Sequence, residues 1–149
     1  MDDKKSTFDK FVEDLQQEII NQELNEFNEY IVELFHNPKN WGKPKEFTIS
    51  SSLTGSCNDT LDFFLTIEDD IITKANFVTD GCGATVAAAS QTTILIEGND
   101  IEFASNLTPR DIDEALHGLP EDHKHCAILA IKTLKKTLLD YTNNNKKGK

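Results

Sequence analysis

The stretch Thr60-Leu61-Asp62-Phe63-Phe64-Leu65-Thr66-Ile67-Glu68-Asp69-Asp70-Ile71-Ile72-Thr73-Lys74-Ala75-Asn76-Phe77-Val78-Thr79 is followed at once by Asp80-Gly81-Cys82-Gly83. Apolar and polar residues alternate on both sides of Glu68-Asp69-Asp70, the pattern of two half-buried strands joined by a tight turn. Glu46-Phe47-Thr48-Ile49-Ser50 alternates in the same way. Three short runs predict an antiparallel meander. After Gly83 the period lengthens, and the alanine-rich segment from Ala84 to Glu97 predicts a helix stopped by Gly98.

Helices extend outward from this centre. Between Phe8 and Phe35, apolar residues recur every three or four positions, the spacing of a core-facing helical stripe. Ser6 or Thr7 can cap it, a break near Asn21 would divide it, and His36-Asn37-Pro38 ends it. Thr108-Pro109, with Asp111 in the first turn, opens another helix that reaches His117 and stops at Gly118. A last helix over Asp122–Tyr141 places Ala127, Ile131, Leu134 and Leu138 on one face. The polar tail 143–149 is expected to be disordered. Helix, strands, then helices predicts an α+β fold: a three-stranded antiparallel sheet packed by helices, with a long N-terminal helix.

The chain of 149 residues is the size of one domain with a substantial core. Its net charge of −11 disfavours nucleic acid and anionic membrane surfaces as partners. No apolar run approaches the roughly 18–20 residues of a membrane span. Met1-Asp2-Asp3-Lys4-Lys5 has neither a secretory nor an organellar character, so a cytoplasmic location is expected, where thiols stay reduced. Three cysteines are an odd number for a disulfide framework.

Each cysteine stands where metal chemistry is at home. Cys57 has Asp59 two residues on, and in an extended backbone both point to one side. Cys82 lies between Gly81 and Gly83, which allow unusual backbone angles at the strand-to-helix junction. Cys126 follows His125 in the first helical turn, where the helix dipole favours thiolate. Adjacent helical residues diverge by about 100°, which argues for exchange between His125 and Cys126 rather than joint ligation. His123 reads either as an extra ligand or as a solvated residue, and His36 and His117 as structural. Three thiols, an imidazole and a carboxylate form a mostly soft set suited to zinc or an iron–sulfur cluster.

These residues resemble the U-type iron–sulfur cluster assembly scaffolds, IscU and the N-terminal domain of NifU. His36-Asn37-Pro38-Lys39-Asn40-Trp41-Gly42 is similar to the family's asparagine–proline–arginine–asparagine–valine–glycine segment. Cys57-Asn58-Asp59 is similar to its cysteine–glycine–aspartate motif, with Asn58 in place of glycine. Gly81-Cys82-Gly83 and His125-Cys126 complete the pattern, and the cysteine spacings agree. By this resemblance, residues 1–27 are a helical extension, 28–142 the scaffold domain and 143–149 the tail. The extension is available to lengthen the first helix or to mediate self-association as a homodimer.

The resemblance implies a scaffold and sulfur acceptor rather than a turnover enzyme. Iron enters, sulfane sulfur arrives as persulfide from a cysteine desulfurase, and a transient [2Fe–2S] cluster forms and passes to apo acceptor proteins. Cys57, Asp59, Cys82, His125 and Cys126 map onto the metal and cluster ligands. Cys126 maps onto the persulfide-accepting cysteine, and Asp59 onto the residue whose replacement by alanine stabilises the bound cluster. Zinc can occupy the same ligands in purified protein. Where many IscU proteins carry leucine–proline–proline–valine–lysine, this chain reads Leu119-Pro120-Glu121-Asp122-His123. Recognition by the dedicated Hsp70-type chaperone therefore does not follow. The alternative is a zinc-bound sulfurtransferase partner of a desulfurase, similar to SufU. That branch typically lacks the histidine found here as His125 and carries an insertion that this chain does not show. An adaptor with idle cysteines has no use for Asp59 and His125 beside thiols.

Overall fold

The structure is a computed structural model that describes residues 7–147. Strands β1 (Ile49–Thr54), β2 (Thr60–Glu68) and β3 (Ile71–Thr79) form one antiparallel sheet in the order β1-β2-β3. Before it come α1 (Thr7–Glu26) and α2 (Glu29–His36). After it come α3 (Gly83–Ile96), α4 (Ile101–Ser105), α5 (Pro109–Ala115), a 3-10 turn (Glu121–His123) and α6 (His125–Lys147). This is the α+β sheet-and-helix architecture that the alternation predicts.

The β2–β3 hairpin closes through Asp69 and Asp70, both left-handed, at φ 53° and 64°. A two-residue loop of this hand matches the strand twist. A bulge at Thr66/Ile67 shifts the register, so Ile72 pairs with Ile67 while Lys74 pairs with Thr66. Ile72 and Ala75, an odd number of residues apart, thereby both turn inward. With Leu61, Phe63, Leu65 and Phe77 they form the sheet's buried face, which α3 and α6 cover. Gly42, at φ 113°, donates its amide to the Phe77 carbonyl, so the 38–42 loop caps the free edge of β3.

Several boundaries differ from the sequence expectation. The first strand lies at Ile49–Thr54, further along than Glu46–Ser50. Its hydroxyl-rich middle, Ser50-Ser51-Ser52, carries little apolar signal, yet Ser51 is buried and donates to Asp140 Oδ2 at 2.6 Å. The long N-terminal helix breaks at Phe27-Asn28, not near Asn21, because Asn28 Oδ1 accepts the Ile31 amide at 2.9 Å and caps α2. The Asn28 side chain also donates to the Leu116 carbonyl. The apolar stripe is core only beyond this break. Ile31, Val32 and Leu34 are buried, whereas Phe8, Phe11, Leu15, Ile19 and Leu24 on α1 are exposed. The expected cap at Ser6 lies outside the described residues. The last helix continues through the segment expected to be a disordered tail and reaches Lys147. Among the described residues, no helix is long and apolar enough to cross a membrane.

A candidate metal and cluster centre

Three separate segments converge at one end of the sheet. The first is the β1–β2 turn. Gly55 and Asp59 close it by a backbone hydrogen bond of 2.8 Å, and Asn58 takes a left-handed φ of 65°. Asparagine tolerates that region better than most residues, which explains how it stands where the family motif has glycine. The turn, rather than an extended backbone, brings Cys57 and Asp59 to the same centre.

The second segment is the start of α3, where Cys82 is the N-cap residue. Its flanking glycines serve close approach, not unusual backbone angles. A Cβ on Gly81 would stand 2.8 Å from the Thr85 side chain and 2.9 Å from Asp59 Oδ2. One on Gly83 would stand 2.8 Å from the Phe35 ring.

The third segment is the start of α6. Asp113 holds the loop before it, accepting the Leu119 amide at 2.7 Å and Lys124 Nζ at 3.1 Å. The Leu119 amide, then Lys124, keeps the Asp113 carboxyl below its ordinary range. His125 Nε2 lies 3.4 Å from Cys57 Sγ and 3.7 Å from Cys126 Sγ. The imidazole thus folds back beside its neighbour's sulfur, and the expected divergence of adjacent helical residues does not separate them. His36 pairs with Glu23 and His117 stacks on Tyr30, both away from this centre.

Thr85 joins the segments. Its hydroxyl lies 3.0 Å from Asp59 Oδ2, 3.4 Å from Cys126 Sγ and 3.8 Å from Cys82 Sγ. Sequence reasoning missed it, although its i+3 spacing from Cys82 puts both on one helical face. A ring nitrogen of His123 and the sulfurs of Cys82 and Cys126 lie within 4.8 Å of one another. A groove lined by Leu53, Gly55, Cys57, Asp59, His125 and Leu129 opens at the Cys57 side.

The protons sit differently from the expectation. Cys57 and Cys82 are exposed, but Cys126 is fully buried. The sulfurs of Cys82 and Cys126 lie within 4.8 Å of each other, and the neighbouring Cys126 thiol, with Thr85 and the Ala84 amide, draws the Cys82 thiol far below its ordinary range. The same contact, and then burial, pushes Cys126 up. Of the two sulfurs, Cys82 is the one whose thiolate is favoured and Cys126 the one whose thiol is favoured. The helix-start argument therefore holds for Cys82 and is overridden at Cys126. The donor set suits soft or borderline cations: three sulfurs, an imidazole and one carboxylate within side-chain reach.

Fold and centre together define a small α+β domain whose sheet-end loop and two helix starts bring three cysteines near an imidazole and a carboxylate. The family described as NifU-like N terminal domain matches residues 26–148, and the chain belongs to that family. It is 35% identical over 119 residues to the iron-sulfur cluster assembly scaffold protein IscU of Aquifex aeolicus, covering 78% of this chain and 76% of that protein. It is 33% identical over 120 residues to the iron-sulfur cluster assembly enzyme IscU of Drosophila melanogaster, covering 77% of each. Among solved structures, the fold is similar to the N-terminal NifU-like protein of Brucella abortus, with TM-score 0.62, 16% identity, and coverage of 80% of this chain and 96% of that one. It is similar also to a SUF-system protein of Fervidobacterium islandicum, with TM-score 0.60, 20% identity, and coverage of 77% and 98%.

Proposed function

We propose that this chain is a scaffold on which an iron–sulfur cluster is assembled and from which it passes to acceptor proteins. The observation that supports this reading is a chain of contacts in which Thr85 touches Asp59, Cys82 and Cys126 while His125 touches Cys126 and Cys57. The relatives named as scaffolds support it. The cargo is read as a [2Fe–2S] cluster, and zinc as an alternative occupant of the same donors.

Cys126 is assigned the sulfur-accepting role. Its thiolate attacks the terminal sulfur of a desulfurase persulfide; a new S–S bond forms on Cys126 and the donor's cysteine leaves as thiolate. The neighbouring Cys82 and burial both favour the protonated form of Cys126. A cation loaded as substrate neutralises the Cys82 charge and removes the partner that retains this proton. Iron loading thus primes Cys126 for sulfur. Conversion of the sulfane sulfur to sulfide consumes two electrons, which an external reductant supplies. Asp59, a hard carboxylate among soft donors, is the weak ligand that favours release.

Anaerobic reconstitution with ferrous iron, a cysteine desulfurase and cysteine tests the reading. Sulfide-to-iron charge-transfer bands should appear and transfer to an apo-ferredoxin. Absence of those bands, together with tightly held zinc and faster desulfurase turnover, would replace it with a zinc-bound sulfurtransferase.

A further inference from the structure

His123 lies within reach of the centre but belongs to none of the motifs above. One of its ring nitrogens is within 4.8 Å of both Cys82 Sγ and Cys126 Sγ. Its Nε2 lies 2.9 Å from Glu26 Oε1, at the end of α1. Its Nδ1 is buried and has no hydrogen-bond partner. The ring is held in place by Phe27, at 4.9 Å between centroids, and by His125, at 6.2 Å.

A neutral imidazole has one N–H and one lone pair. The Glu26 carboxylate only accepts, so it draws the N–H to Nε2 and leaves the lone pair on Nδ1. That lone pair is the buried, unpartnered one. Buried acceptors normally have donors, and an exception calls for a reason. A cation between Nδ1 and the two sulfurs supplies it.

We propose that His123 Nδ1 is a further ligand of the cation held by Cys82 and Cys126, with Glu26 as the outer carboxylate that fixes its tautomer. The inference rests on the metal-binding part of the proposed function. A histidine ligand whose second nitrogen donates to a carboxylate is the usual outer-shell arrangement of metal sites. Tetrahedral nitrogen and sulfur ligands stand ~3.4–3.8 Å apart at ordinary zinc bond lengths, so small side-chain rotations close the triad. The centre then has an imidazole on each side. His125 serves the Cys57 side and His123 the Cys82 side. Cys126 can leave the cation to accept sulfur while Cys82 and His123 retain it. Glu26 also ties α1 to the state of the centre.

The test uses the full chain, stripped of metal under reducing conditions and titrated with cobalt(II) alone. In the native protein, thiolate-to-cobalt charge-transfer bands should appear. His123→Phe keeps a ring against Phe27 and removes the nitrogen; its cobalt affinity should fall by at least ~10-fold. Glu26→Ala is a positioning change, and should lower affinity by about 10-fold without altering the number of nitrogen ligands seen by X-ray absorption. The measurement that needs no variant is nitrogen-15 NMR of cadmium-113-loaded native protein, in which His123 Nδ1 should show cadmium coupling. Native-like affinity in His123→Phe, or an uncoupled His123 in loaded native protein, would overturn the inference and leave the scaffold reading standing. A native chain that gives no thiolate–cobalt bands would bring down both.

Discussion

Replacing Thr85 with valine tests whether Asp59 truly belongs to the cation. Valine keeps the size and branching of threonine, so the buried position at the start of α3 stays filled. Only the hydroxyl is lost. Threonine has one proton to donate, and the shorter contact, 3.0 Å to Asp59 Oδ2, is the one it serves. A hydrogen bond to a charged group contributes ~1.5–3 kcal/mol. Asp59 is partly exposed, so the lower half of that range applies. At ~2–4 °C per kcal/mol for a chain of this size, the metal-free variant should melt ~3–9 °C below the native protein. In the zinc-saturated state a liganded Asp59 no longer needs the hydroxyl, and the two proteins should melt together. By linkage the variant then binds zinc more tightly, by about tenfold for each 1.4 kcal/mol lost from the metal-free state. Differential scanning calorimetry with and without saturating zinc, paired with a competitive zinc titration, measures both quantities. An equal loss of melting temperature in the two states would refute the reasoning, because Asp59 would then depend on Thr85 whether or not a cation is present.

Four further outcomes are expected. Cys126→Ser should abolish persulfide capture from a desulfurase, and capture by the native protein should need a loaded cation; undiminished mass-spectrometric labelling at Cys57 or Cys82 would contradict the assignment. Asp59→Ala should slow cluster loss to a chelator, and faster loss would remove the carboxylate from its labilising role. Gly83→Ala drives a Cβ to 2.8 Å from the Phe35 ring, so α3 or α2 must shift. A cost of ~1–3 kcal/mol, read by denaturant melts, is expected for such overpacking. With Cys82 pulled down to about 4, its alkylation in metal-free protein should be nearly flat from pH 6 to 8. An ordinary thiol near 8.5 would instead gain almost tenfold per unit over most of that interval, and such a slope at Cys82 would show that it is not the thiolate of the pair.

The parts of the fold legible in the sequence are those whose signal is local. The β2–β3 hairpin announces itself by alternation on both sides of Asp69-Asp70, and α5 by Thr108 and Asp111, which form a reciprocal capping box, with Pro109 in the first turn. What failed depends on neighbours distant in the chain. The periodic stripe of α1 has the same spacing as that of α2, yet only α2 meets the core. Ser50-Ser51-Ser52 becomes a strand because β2 pairs with it and α6 lies behind it. The five-residue helix α4 is too short to show a period. At the centre, the residue types pointed to the chemistry, and contacts link Cys57 to His125, His125 to Cys126, and Thr85 to Asp59, Cys82 and Cys126; the donors that lie within 4.8 Å of one another are Cys82, Cys126 and His123, the last read from the sequence only as an extra ligand or a solvated residue. Their protonation was not legible. The helix dipole acts on Cys82 and Cys126 alike, and the choice between them is made by burial and by contact across the fold. Thr85 and Glu26 carry no motif, and only the tertiary structure places them beside the ligands.

Donors at the centre hold one another by hydrogen bonds, and this bears on how readily cargo leaves it. His125 bridges the sulfurs of Cys57 and Cys126, and Thr85 joins Asp59 to Cys126. Each of these contacts uses a lone pair or proton that a bound cation would claim. Loading therefore exchanges existing hydrogen bonds for metal bonds and expels the proton on Cys126. Each contact that must be broken, at ~0.5–1.5 kcal/mol, lowers the net affinity, and each re-forms on release. The three segments need not come apart when the centre empties. The mixed donors at this centre have hydrogen-bond partners among themselves to return to, which favours release of the cargo.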